Sequence, residues 1–286
     1  MNVAAALREA AAQLAETSDT ARLDAELLMA EALGVDRSAM LLGRMQDDVP
    51  REFADLIARR AHSEPVAYIL GHQEFYGREF LVSPEVLIPR GDSETIVDAA
   101  LTCDFERVLD CGTGSGALLL SVLAERPEAT GVGIDASLGA LAVAAVNAAK
   151  LGLGDRAHML SRNWREDGWK DGLGQFDLIL ANPPYVENSA DLAPSVARFE
   201  PSQALFSGDE GLDDYRILIP GLRDLLAPGG AAIIEIGFLQ AEAVTQIAEK
   251  AGFMVKLHHD LAKRPRALHL VERARALGLG KPAASR

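Results

Sequence analysis

RVLDCGTGSGALLLSVLAERP, Arg107 to Pro127, reads as a buried strand, a glycine-rich turn and a helix. The apolar run ending at Asp110 and Cys111 has strand length, Gly112, Gly114 and Gly116 permit a sharp reversal, and the leucine-rich segment after them has helix length. Further strands and helices follow downstream, with no internal repeat. Strands are expected at TGVGIDAS (130–137), AHMLSR (157–162), FDLILAN (176–182), AAIIEIG (231–237), MVKLHHD (254–260) and ALHLVER (267–273). Helices are expected at LGALAVAAVNAAKLGL (138–153), Asp214 to Leu226 and Gln240 to Lys250. Strands alternating with helices imply an α/β fold with a largely parallel sheet covered on both faces.

Upstream the pattern changes. NVAAALREAAAQLAE (2–16), TARLDAELLMAEALG (20–34) and VPREFADLIARRAHS (49–63) are helical and Ala/Leu-rich, with Asp19 or Thr20 starting the second helix, Gly34 stopping it and Pro50 near the start of the third. They predict a small helical bundle over residues 1–63. In EPVAYILGHQEFYGREFLVSPEVLIPR (64–90) aromatic and β-branched residues alternate around Gly71 and Gly77, which predicts a β-hairpin connector. Residues 91–275 form the expected α/β domain, and 276–286, small and polar, a flexible tail.

The formal charge is −14, from 28 Lys and Arg against 42 Asp and Glu, which disfavours nonspecific attraction to nucleic acid phosphate. Cys103 and Cys111 have no metal-ligand spacing, and neither a signal peptide nor a membrane span is legible, so a cytoplasmic protein without a metal site is expected. His258 and His259 have no third ligand at metal spacing and read as strand surface or packing.

The turn Asp110–Cys111–Gly112–Thr113–Gly114–Ser115–Gly116 offers a close backbone approach and unpaired N–H groups at a helix start. A dinucleotide site is one reading, but the spacing departs from G-x-G-x-x-G. Asp110 at the strand end would receive an amino group and repel a pyrophosphate, and Asp135, ending the next strand, can accept both ribose hydroxyls. An adenosine carrying an amino acid and no phosphate satisfies both, and that ligand is S-adenosylmethionine. Asn163 can read the adenine edge and Trp164 can pack beside the ring. The plain alternatives are a ligand-free turn, a helix cap at Asp135 and core packing at Trp164.

Asn182-Pro183-Pro184-Tyr185 follows the strand FDLILA, at the carboxyl edge where open α/β sheets place ligands. Pro184 biases Pro183 to an extended conformation, so that the Pro183 carbonyl and the Asn182 side-chain oxygen form two fixed acceptors. They suit a planar NH2 group whose lone pair is conjugated, and orient it while positive charge develops on nitrogen. Tyr185 can stack on the planar substrate. N-methylation of a planar amide or amine is the expected chemistry, with Asn182, Pro183 and Tyr185 as catalytic residues.

EPVAYILGHQEFYG, LIPRGDSE, DCGTGSG, NPPY, RFEPSQALFSGDEGLDDYR, PGGAAIIEIG and DLAKRPR, in this order over about Glu64 to Arg266, resemble the PrmC/HemK family of protein-(glutamine-N5) methyltransferases. The resemblance implies a class I S-adenosylmethionine-dependent methyltransferase, Rossmann-like with a mostly parallel seven-stranded sheet. Its substrate would be the glutamine of the Gly-Gly-Gln motif in peptide chain release factors. Gly112, Thr113, Gly114, Ser115, Gly116, Asp135 and Trp164 would contact the cofactor, with Asp110, Asn163 and Asn182 beside it. Asn182, Pro183, Pro184 and Tyr185 would hold the glutamine; Phe199, Glu200 and Pro201 would shape the entrance, and Arg90 would help close it. The helical domain would grip the release factor, and a monomer without specific nucleic acid binding is expected.

Gly91, Asn163 and Lys263 depart from the family pattern, which has Pro, Asp and Gly there, and the acidic pair in SGDEGLDDYR is reversed. Other readings are a DNA adenine-N6 methyltransferase, which should carry a basic face, and a noncatalytic translation-factor-binding protein on the same fold.

Overall fold

The computed structural model describes residues 1–273. The expected tail therefore lies outside the described residues. The chain divides into two units, one of Met1–Gln73 with Val82–Pro84 and Leu192–Glu200, the other of Glu74–Leu81 with Glu85–Asp191 and Pro201 onward. In chain order the elements are α1 (Val3–Leu14), α2 (Ala21–Leu33), α3 (Arg37–Gly43), α4 (Glu52–Ala61), α5 (Val66–Leu70), β1 (His72–Phe75), β2 (Arg78–Leu81), α6 (Glu94–Leu101), β3 (Arg107–Cys111), α7 (Ala117–Glu125), β4 (Thr130–Asp135), α8 (Leu138–Lys150), β5 (Ala157–Ser161), β6 (Phe176–Ala181), α9 (Pro194–Ala197), α10 (Asp213–Leu225), β7 (Leu226–Glu235), α11 (Ala241–Lys250), β8 (Phe253–His259) and β9 (Pro265–Glu272).

In the first unit Asn2 caps α1 through its side chain, and Gly34 ends α2 in the left-handed conformation. Val3, Leu7, Leu14, Leu28, Met29, Met40, Phe53 and Ile57 make its core. Two helices go beyond the three expected. Asp36 caps the short α3 by accepting from the Ala39 N–H at 2.7 Å. The segment VAYIL has strand-like composition, yet it forms α5 because Pro65 precedes the turn and left-handed Gly71 closes it, burying Ala67, Tyr68 and Ile69. The expected hairpin is therefore confined to β1 and β2, which pair as a two-stranded sheet.

Asp24 is buried in this unit and accepts hydrogen bonds from Ser18, Thr20 and, at 2.7 Å, the Arg60 Nε. Arg60→Ala leaves that carboxylate without its counter-charge. Urea unfolding should show a loss of about 3–5 kcal/mol.

The second unit holds a seven-stranded sheet of order β5-β4-β3-β6-β7-β9-β8. Neighbouring strands are parallel from β5 through β7, and only β9 runs against its neighbours. The strands are apolar on both sides because both faces are covered. In β6 Ile179 and Ala181 face the layer containing Leu218, Ile219 and Leu222 of α10, while Leu178 and Leu180 face the layer containing Leu119, Val122 and Leu123 of α7. The chain builds outward from β3 through β4 to β5, then returns to place β6 on the other side of β3. The strand order thus reverses between β3 and β6, and the crevice beyond their carboxyl ends is where such a sheet takes its ligand.

Lys263 has φ 64°, a left-handed conformation that disfavours a side chain, at the position where the family pattern carries glycine. Lys263→Gly should raise stability by about 1 kcal/mol in urea unfolding.

Candidate active site

Both sequence motifs meet at the reversal point. Cys111 of β3 pairs in register with Ala181 of β6, so the glycine turn and Asn182 leave the sheet side by side. Gly112, Gly114 and Gly116 all have positive φ. The N–H groups of Gly112 and Thr113 both donate to the Ile134 carbonyl, at 2.8 and 2.9 Å, which ties the turn to β4. A Cβ at Gly112 would lie 3.1 Å from the Trp164 ring, so glycine is needed there for space as well as conformation.

A cavity of about 330 Å³ opens over this turn. Gly112, Thr113, Gly114, Ser115, Asp135, Asn163, Trp164, Asn182, Pro184 and Arg90 all line it. Asp135 accepts from the Gly114 N–H at 3.0 Å through one oxygen and from the Ser137 N–H at 2.9 Å through the other. Each oxygen keeps further acceptor capacity, so the carboxylate is oriented for a pair of hydroxyls. Burial pushes its pKa up, against the pull of these backbone donors. Trp164 is fixed by its Nε1–H, which donates to Asp214 at 2.7 Å. Asn163 is partly committed to its own loop, accepting from the Arg165 N–H at 3.0 Å and donating to Glu166 at 3.2 Å.

Asp110 and Gly116 lie outside the cavity wall. Asp110 is 1% exposed; one oxygen accepts from the Thr113 hydroxyl at 2.7 Å and the other has no hydrogen-bond partner among the described residues. Burial pushes its pKa up to about 7. An unpaired buried acceptor beneath a turn of backbone donors fits a ligand that brings a cationic amino group.

The Asn182 side chain lines the cavity and makes no hydrogen bond to another described residue, leaving its amide uncommitted. Pro183 and Pro184 are buried. Tyr185 is half-buried against the apolar layer of α10 rather than in the cavity wall. Its carbonyl accepts from the Gln240 side chain at 3.0 Å, and its hydroxyl points to Glu235 at 3.4 Å. Phe199 and Glu200 belong to the first unit, held in the turn that continues α9 by the Glu200 N–H donating to the Val196 carbonyl at 3.0 Å. Pro201, in the second unit, lines the cavity.

Sequence reasoning missed Asp214. This buried carboxylate accepts from Trp164, from Arg165 and, at 2.7 Å, from the Ser207 hydroxyl, and so fixes one cavity wall. In the sequence it stood only as one residue of the motif RFEPSQALFSGDEGLDDYR. Ser93, whose buried hydroxyl faces Glu235, also lines the cavity; in the sequence it stood only as one residue of LIPRGDSE.

Residues 5–71 match the PrmC N-terminal domain, and residues 93–202 match the methyltransferase small domain. The chain is 41% identical to the release factor glutamine methyltransferase of Cereibacter sphaeroides over 274 residues, 93% of this chain and 97% of that one. The chain belongs to the release factor glutamine methyltransferase family. A second family member, from Rhodospirillum rubrum, is 43% identical over 268 residues, 90% of this chain and 80% of its own. A methyltransferase structure from Pyrococcus furiosus superposes with a TM-score of 0.53 at 17% identity, covering 76% of this chain and 98% of that one, a likeness of fold. The expected methyltransferase sheet and family are thus both found. Among the described residues no helix is long and apolar enough to cross a membrane.

One consequence follows from the Asp110 environment. A carboxyl raised from an unfolded value near 3.8 to about 7 takes up a proton on folding, so stability falls as pH rises between these values and the full penalty stands above them. Asp110→Asn removes the charge. Without ligand the variant should be more stable than wild type at pH 8 by on the order of 4 kcal/mol, with the difference gone near pH 4. Thermal unfolding across pH checks this.

Proposed function

We propose that the protein transfers a methyl group from S-adenosylmethionine to the side-chain amide nitrogen of the glutamine in the Gly-Gly-Gln motif of peptide chain release factors. The observation that carries this reading is the uncommitted Asn182 amide, set in register beside the glycine turn at the reversal point of the sheet. The 41% identity to a release factor glutamine methyltransferase along nearly its whole length supports the same substrate.

S-adenosylmethionine supplies an electrophilic methyl group on a sulfonium. Asp135 would accept the ribose hydroxyls, Asp110 would balance the amino group beneath the turn, Gly112 to Gly116 would admit the chain, and Asn163 and Trp164 would flank the adenine. Asn182 and the Pro183 carbonyl would accept the two N–H bonds of the glutamine amide, aiming its nitrogen at the methyl carbon. While the methyl carbon leaves sulfur for the amide nitrogen, with S-adenosylhomocysteine as the leaving group, these acceptors would stabilise positive charge on nitrogen, and the surplus proton would leave to water. Tyr185, behind the cavity wall, would hold the Asn182-Pro183-Pro184 segment in place, and Arg90 would close the site. Phe199 and Glu200 would contact the release factor from the first unit, whose helices would supply the wider grip.

The charge of −14 supports a protein substrate over nucleic acid. A monomer acting in the cytoplasm completes the proposal. Methyl incorporation from labelled S-adenosylmethionine tests it, using release factor, its Gly-Gly-Gln Gln→Ala form and adenine-containing duplex DNA. Label on the unaltered factor alone is expected. Label on the DNA, or on both forms of the factor, overturns the assignment.

A further inference from the structure

Behind Asn182-Pro183-Pro184-Tyr185 lies a buried polar cluster that the proposed chemistry does not use. Glu235, at the end of β7, is 2% exposed, and Arg266, near the start of β9, is 6% exposed. Their side chains approach to 4.0 Å. Arg266 also pairs with Asp92 at 2.8 Å and Asp260 at 3.3 Å. A buried ion pair contributes little net stability compared with apolar packing, so this arrangement invites a role beyond stability.

Two groups on the cavity side face this carboxylate: the Tyr185 hydroxyl, 3.4 Å from one Glu235 oxygen, and the buried Ser93 hydroxyl in the cavity wall. At the opposite end of Tyr185, Gln240 donates to its carbonyl at 3.0 Å and is itself anchored by accepting from the Gly237 N–H at 3.2 Å. The cradle is tight: a Cβ at Gly211 would fall 2.2 Å from the Tyr185 carbonyl oxygen, and one at Gly237 would fall 3.4 Å from the ring. The Tyr185 main chain is therefore closely held, and its phenol tip faces Glu235. Glu235 is held in turn by the Tyr215 hydroxyl, which donates to its carbonyl at 3.0 Å.

We propose that Glu235, braced by Arg266, is a positioning residue that sets the place of the Tyr185 phenol behind the cavity wall, and through it the Asn182-Pro183-Pro184 segment that orients the substrate amide. This rests on the substrate reading above. A misaligned amide nitrogen loses rate more than binding, so the effect belongs in kcat.

The test is a double-mutant cycle of Glu235→Leu and Tyr185→Phe on release-factor methylation, with a crystal structure of the Glu235→Leu variant. Each substitution should lower kcat about tenfold and leave the KM for S-adenosylmethionine within about twofold, and the double variant should lose about tenfold in total, because both act through one contact. Glu235→Gln, which keeps an acceptor, should recover to within about threefold of wild type. The Glu235→Leu crystal structure should show the Tyr185 ring displaced. Multiplied losses of about a hundredfold, a parallel rise in the KM for S-adenosylmethionine, or failure of Gln to recover activity overturns the proposal. If Glu235→Leu does not fold, the cycle is run with Glu235→Gln, whose smaller loss must vanish in the Tyr185→Phe background. If wild type leaves the release factor unlabelled, the substrate reading fails separately, and an unmoved Tyr185 ring in the variant structure overturns the positioning role by itself.

Discussion

Asn182→Ala should abolish most methyl transfer, lowering kcat by about 10²–10³ while S-adenosylmethionine still binds. The size follows from what the amide does. In the proposed reaction its oxygen accepts from the substrate amide as positive charge develops there, and alanine would leave only the Pro183 carbonyl. Single-turnover labelling of the release factor measures the rate, and calorimetric titration of S-adenosylhomocysteine measures binding. A proportional loss in both would assign Asn182 to ligand binding instead of the reacting amide. Asn182→Asp is informative beside it, since it keeps an acceptor oxygen but places a negative charge by the substrate.

The second large effect falls on the ligand. Asp135→Ala should weaken S-adenosylmethionine binding by about 10²-fold or more, since two hydrogen bonds to a charged group contribute on the order of 1.5–3 kcal/mol each. It also frees the N–H groups of Gly114 and Ser137, which that carboxylate holds at 3.0 and 2.9 Å, so part of the loss comes from a loosened turn. Titration should show the weakened binding, with kcat at saturating ligand within several-fold of wild type. An unchanged affinity would remove Asp135 from the ribose assignment.

What could be read ahead of the structure was whatever has a local cause. Gly112 to Gly116 and the buried runs at β3 and β6 announce themselves because a strand buried on both faces is apolar throughout and a turn with positive φ selects glycine. Asp110 and Asp135 could be singled out because a carboxylate ending a strand beside such a turn is chemically conspicuous. Asp214 could not, because its importance comes from Trp164 and Ser207, which are distant in sequence or unremarkable in type. Helix α5 was hidden for a different reason: its residues favour strand, and the flanking Pro65 and Gly71 decide the outcome. The placement of Tyr185 beside the cavity instead of in its wall depends on Gln240 and Glu235, contacts that no spacing reveals.

The reversed direction of β9 has a consequence for the order in which the molecule becomes competent. Because β9 sits between β7 and β8, strand β8 is synthesised before its neighbour exists, and the edge of β7 stays open until β9 inserts. The antiparallel pairing of Glu235 with Ala267 also brings the first residues of β9 to the site. A nascent chain halted before residue 265 would carry the glycine turn and Asn182 but lack Arg266, with an unsatisfied strand edge prone to recruiting other chains. Completion of the site is thereby coupled to the insertion of β9.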